Sequence, residues 1–102
     1  MPWYDYVMSF FGGAFIANFV PHFVRGITGT EFPTPFAKPP GRGMSPPTLN
    51  ILWALVNLIA GFLLLQYGAF SIANWQLLVP AFAGFALMAI MLSRSFTQKL
   101  GP

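Results

Sequence analysis

The chain has 102 residues, of which 56% are hydrophobic and 7% charged, against about 25% charged in soluble domains. Its five Lys and Arg and two Asp and Glu give a net charge of +3. So few charges could not cover a soluble globule of this size, and the small basic excess does not call for nucleic acid. Cysteine is absent, which excludes disulfides and thiolate metal sites.

The first run without Asp, Glu, Lys or Arg covers 19 residues, between Asp5 and Arg25. A bilayer-spanning helix needs about 20 such residues, so a first span is predicted over about 6–24. A cleaved signal peptide would want a basic start and a small-residue cleavage site. This start, MPWYDY, is acidic, and Pro21 and His22 stand where cleavage would fall. The run is therefore read as a retained span.

On a 3.6-residue helix, Phe11, Phe15, Phe19 and Phe23 form one aromatic ridge. Ser9, Gly13, Ala17 and Pro21 form an opposite stripe of the small-xxx-small kind that lets helix backbones approach. The ridge is free to meet lipid, a quinone, a carotenoid or chlorophyll, or another protein's helix. Asn18 and His22 share the flank between the two stripes. His22 is the chain's one histidine, three residues from Arg25. It reads as an interfacial residue bonded to Asn18, to the Ala17 carbonyl freed by Pro21, or to headgroups. The sharper alternative is an axial ligand to haem or chlorophyll.

Residues 26–48 carry six prolines and four glycines. The segment cannot be regular helix and is long for a plain linker. Phe32 and Phe36 punctuate it, so it is expected either to rest on headgroups or to dock on a partner.

The next charge-free run, between Arg42 and Arg94, is 51 residues long. It fits spans at about 49–66 and 73–93 around the turn residues Gly68, Ser71 and Asn74. A short connection makes neighbours antiparallel, so these two spans are expected to pack as a hairpin. In the second, Asn50, Ala54, Asn57 and Gly61 recur at spacings of 4, 3 and 4, a helix-packing seam. An amide at Asn57 facing lipid would be costly, so it should bond to another helix. The third span is rich in small residues (Ala81, Ala83, Gly84, Ala86, Ala89) and is expected to pack on the second.

Arg25, Lys38, Arg42, Arg94 and Lys99 all fall on one side of such a three-span topology, which predicts a periplasmic N-terminus and a cytoplasmic C-terminus. Trp3, Tyr4, Tyr6, Tyr67 and Trp75 would form an aromatic belt at the opposite interface. The fold class is thus an all-α membrane protein in a single transmembrane domain of the bacterial inner membrane.

No catalytic set can be assembled. The two carboxylates, Asp5 and Glu31, lie outside the span centres, whereas proton-coupled transporters usually keep an ionisable group inside one. Small four-helix exporters of similar length use a glutamate in their first span, and none stands there. One histidine without a second ligand makes no metal site, and the GRG at 41–43 is too short for a phosphate loop.

Residues 12 to about 65 resemble a family of small bacterial three-span inner-membrane proteins. The resemblance rests on Asn18, the Pro21-His22 pair, Gly26, the PFAKPPG loop, Asn50, Trp53 and Asn57. Size and span arrangement also resemble the protein W family, accessory subunits of photosynthetic reaction-centre core complexes. That resemblance implies a non-enzymatic subunit that interrupts an antenna ring and leaves a path for quinone. The chain departs from the antenna polypeptides themselves, which have one span and a small residue four positions before a pigment-binding histidine; here that position is Asn18.

Two further readings stand beside an accessory subunit of a larger membrane complex. One is a homo-oligomeric protein that binds or transports a small ligand, with Asn18, His22 and Asn57 converging on an internal cavity. The other is a haem or chlorophyll protein through His22.

Overall fold

The computed structural model describes residues 1–101. Three helices dominate: α1 (Trp3–Ile27), α2 (Pro47–Tyr67) and α3 (Trp75–Leu100). All three are long and apolar enough to cross a membrane. Each pairs its backbone groups internally, as a segment in hydrocarbon must, except where Pro21 in α1 and Pro80 in α3 supply no N–H. Pro47 opens α2 at a first-turn position whose N–H has no helical acceptor. The Asn74 side chain accepts from Gln76 N at 3.1 Å and starts α3. Both α1 and α3 run past their charge-free stretches. Arg25 sits in the last turn of α1, and Arg94 and Lys99 fall in the final two turns of α3.

The first connection is more ordered than its proline content suggests. Two-residue strands β1 (Phe32–Pro33) and β2 (Met44–Ser45) pair antiparallel, Phe32 opposite Ser45. A Thr34–Ser45 hydroxyl bond of 2.6 Å lies beneath them. The segment folds back over the basic end of the helices and buries Phe32, Pro33, Thr34 and Ser45.

The helix order in space corrects the expectation of a hairpin. Helices α2 and α3 hardly touch; both pack on α1. The reason lies in two adjacent glycines. Gly12 meets Leu65 and the Gly61 backbone of α2, while Gly13 lies against the backbone of Ala81 in α3. Successive residues of a helix point about 100° apart. Helices α2 and α3 are therefore set roughly at a right angle around α1, with axes about 13 Å apart, beyond packing distance. The short connection spans this gap by crossing the start of α1. Gly68 sits on Asp5 and Met8, and Asn74 Nδ2 reaches Met1 Sδ at 3.3 Å.

The small residues of α3 accordingly serve α1 and not α2. Gly84 lies against the backbone of Phe10 so closely that a Cβ there would overlap the carbonyl. The stripe on α1 likewise faces α3: Ser9, Gly13 and Ala17 are buried, and the Ser9 hydroxyl has no partner among the described residues. The buried residues of α3, Leu77, Ala81 and Gly84, lie in its first part. Near its end α3 meets α1 again through Phe96, whose ring stands 6.1 Å from that of His22.

Gly84→Val should force α1 and α3 apart and cost about 1–3 kcal/mol, the usual penalty for overpacking. Thermal unfolding of the full chain in detergent, followed by circular dichroism at 222 nm, should show a lowered midpoint with native helix content before the transition.

Candidate functional site

Each of the four buried residues of α2 is one of Asn50, Ala54, Asn57 and Gly61. They face α1, and two of them carry amides. Asn57 Oδ1 accepts from Asn18 Nδ2 at 2.9 Å, and Asn57 Nδ2 returns to the Trp53 carbonyl at 2.8 Å. One helical turn further along α1, His22 meets Asn50 at 2.8 Å. The two contacts form polar rungs across an otherwise apolar interface. Between and beyond them the helices close on small residues: Gly61 receives the Ile16 side chain, and Gly26 packs on Ile51 and the Pro47 carbonyl.

Asn50 does most. Its amide nitrogen reaches the carbonyls of Phe32 at 3.0 Å, Ser45 at 3.1 Å and Pro46 at 3.3 Å. With the NH₂ group committed to three carbonyls, the oxygen must face the imidazole. His22 Nδ1 therefore carries the proton and donates, which leaves Nε2 as an acceptor. One side chain thus ties together α1, α2 and both strands of the connection, and it is fully buried.

The other faces of the histidine are aromatic. Phe32, Phe96 and Trp53 stand edge-to-face to it, with centroids at 5.4, 6.1 and 6.4 Å. Phe32 and Phe96 also contact each other at 4.3 Å. Two cations cover the cluster, Arg25 over Phe32 at 5.2 Å and Lys99 over Phe96 at 5.3 Å. A cavity of about 140 Å³ opens beside the ring, lined by Asn18, His22, Trp53, Phe96 and Lys99 among others.

His22 is 3% exposed, so it is neither open to headgroups nor bonded to Asn18 or the Ala17 carbonyl. The i to i+4 spacing on α1 does put Asn18 and His22 on one face, but each bonds across to α2. Aromatic rings flank the imidazole, and the cavity beside it, about 140 Å³, is well below the roughly 300–1,000 Å³ of ordinary small-molecule sites. Asn18 and His22 line that cavity, whereas Asn57, bonded to Asn18, does not; the three do not all open on one cavity. Among the described residues, no three His, Cys, Asp or Glu side chains lie together as a metal site.

Of the six phenylalanines expected to meet a partner, Phe32 is corrected outright. It is 3% exposed and forms part of the core under the connection, because burying its ring against His22 and Phe96 removes it from water. Phe36 stays 60% exposed, its ring edge-on to Trp53 at 5.1 Å. On α1, Phe11 is exposed, and Phe15, Phe19 and Phe23 are half-buried; Phe19 and Phe23 stack at 4.9 Å. Sequence reasoning missed Phe96, Thr34 and Ser45. Their partners are 11 to 74 positions distant, and no local period marks them.

Comparison of the chain with family models, curated proteins and solved structures gives no match.

Replacing Asn50 by Asp keeps the shape and an acceptor for His22 but turns a carboxylate toward three carbonyls. The buried acceptors lose their donor, at about 1–3 kcal/mol each way such a group is orphaned. Asn50→Asp and Asn50→Ala should both lower the melting midpoint, and the emission of Trp53 should report loosening at this end. Asn57→Leu, which breaks only the other rung, should cost about 1 kcal/mol.

Proposed function

We propose that the chain is a non-enzymatic accessory subunit of a larger bacterial inner-membrane complex, acting by packing and not by chemistry. One observation supports this most: the helices bind one another through narrow seams and leave their broad apolar faces outward. Helix α2 buries four residues and leaves Leu52, Val56, Ile59 and Phe62 exposed; α3 leaves Val79, Phe82, Ile90 and Met91 exposed. Because α2 and α3 do not pack on each other, the angle between them is open to a helix from elsewhere. The polar groups are spent internally on the two rungs, which fits a structural part better than a site for a reacting substrate.

The most concrete form of this reading is a subunit that interrupts the antenna ring of a photosynthetic reaction-centre core complex and so lets quinone pass. It rests on the resemblance of size and span arrangement to the protein W family alone. Several of the residues behind the separate resemblance to small three-span inner-membrane proteins (Asn18, His22, Asn50, Trp53 and Asn57) meet in space around the two rungs. They specify how the chain is held together, and the outward phenylalanines Phe11 and Phe36 are where it would meet its complex.

The orientation belongs to the same proposal. All five basic residues lie at the end of the bundle where α1 and α3 finish, and the exposed Trp3, Tyr67 and Trp75 lie at the other. The positive-inside rule puts the basic end in the cytoplasm.

Two measurements test this. On a native gel of membranes solubilised in mild detergent, the chain should migrate within a larger complex, and Phe11→Ala with Phe36→Ala should weaken that association while melting is unchanged. A chain that runs alone in every membrane fraction defeats the proposal. Since the protein lacks cysteine, single cysteines report orientation. Ser71→Cys should react with an impermeant maleimide in spheroplasts, and Arg42→Cys only after permeabilisation.

A further inference from the structure

A groove of about 860 Å³ lies between α1 and α3 along the basic half of the molecule. Its walls are small or apolar: Ala17, Pro21 and Val24 on α1, and Phe85, Ala89 and Leu92 on α3. Small side chains line both walls, and the groove between them is open. The groove extends from the middle of the helices to Leu100. From Phe85 to Leu100 along α3 the rise is about 22 Å. One leaflet of a bilayer is about 15 Å of hydrocarbon plus its headgroup layer. The groove therefore has the depth of a single leaflet, with its closed end at the bilayer centre.

Arg25 lies at the mouth. It is exposed, held in place by stacking over Phe32, and the chain offers it little negative charge. Asp5 is at the opposite end of α1, and Glu31 is exposed on the connection. An apolar trough one leaflet deep that ends at a guanidinium with no salt-bridge partner among the described residues is complementary to one kind of occupant. Basic pockets between transmembrane helices on the cytoplasmic side bind anionic lipid headgroups on this principle, and a guanidinium suits a phosphate by its two-pronged donor geometry.

We propose that this groove is a binding site for an anionic phospholipid, its acyl chain between Ala17 and Ala89 and its phosphate on Arg25. The site does not depend on the accessory-subunit reading, because the isolated chain contains all of it. The lipid would fill the space between α1 and α3 that lies between Gly84 and the His22–Phe96 contact.

The test uses the full chain purified in neutral detergent. It is titrated with phosphatidylglycerol, or with phosphatidylcholine of the same acyl chains, and retained lipid is read by native mass spectrometry. Phosphatidylglycerol should bind about fivefold more tightly than phosphatidylcholine, the effect of one basic residue at the surface. Arg25→Gln should abolish that preference and leave phosphatidylcholine binding as it was. Ala89→Phe, or the milder Ala89→Leu, fills the trough from an exposed position and should weaken both lipids. Inorganic phosphate should not compete. Equal binding of the two lipids by the parent, unchanged binding in both Ala89 variants, or competition by phosphate would each overturn the proposal. So would a lipid-free dimer that Ala89→Phe dissociates, since a second copy would then be the occupant.

Discussion

The fold hangs on an amide that has no water to fall back on. Asn50 is buried at the end of α2, surrounded by carbonyls that would otherwise be orphaned, and in such a place an unmet hydrogen bond costs its full desolvation penalty. Its two donors hold the β1–β2 connection down, and its acceptor fixes the tautomer and rotation of His22. The imidazole in turn orients Phe32 and Phe96, so α3 is joined at this end through aromatic edges. Without the amide, the connection, the histidine and the last turns of α3 lose a common reference point. A proline-rich segment with two-residue strands could not keep its place on ladder bonds alone.

The opposite end is organised by the lack of side chains. Gly12 and Gly13 give α1 two adjacent faces on which backbones can approach, and that choice places α2 and α3 on separate sides. In hydrocarbon there is no hydrophobic gain from joining two apolar helices, so close van der Waals packing and a few hydrogen bonds decide which pairs form. Helix α2 has both, through its seam and the Asn rung. Helix α3 has close packing near its start and aromatic contact near its end, with a gap between them.

The number and approximate position of the spans were legible in the sequence, because the absence of charge over 19 and 51 residues leaves no other economical reading. The α2 seam was legible because four small or amide residues recur at helical spacing in a helix otherwise made of Leu, Ile, Val and Phe. The arrangement of helices was not. A short connection predicts antiparallel directions, and adjacency was inferred from it; adjacency was in fact set by Gly12, one position from the stripe that sequence reasoning followed. His22 misled for a similar reason. Its near neighbours in sequence offered Asn18, whereas its partner Asn50 lies 28 positions away, beyond any local pattern. Phe32 looked like a surface anchor because the residues around it are polar or proline, and only the fold shows that the connection turns inward there.

Because α1 carries both interfaces, the chain has an order of assembly written into it. Helix α1 emerges from synthesis before the two helices that dock on it. Helix α2 can settle on its Gly12 side as soon as it enters the membrane, and α3 on its Gly13 side afterwards, with the crossing at Gly68 laid over a helix already in place. The helix pairs form in chain order, while the connection closes only once Asn50 and Phe96 are in place. The first helix acts as a template, and the protein can reach its fold at the pace of the ribosome.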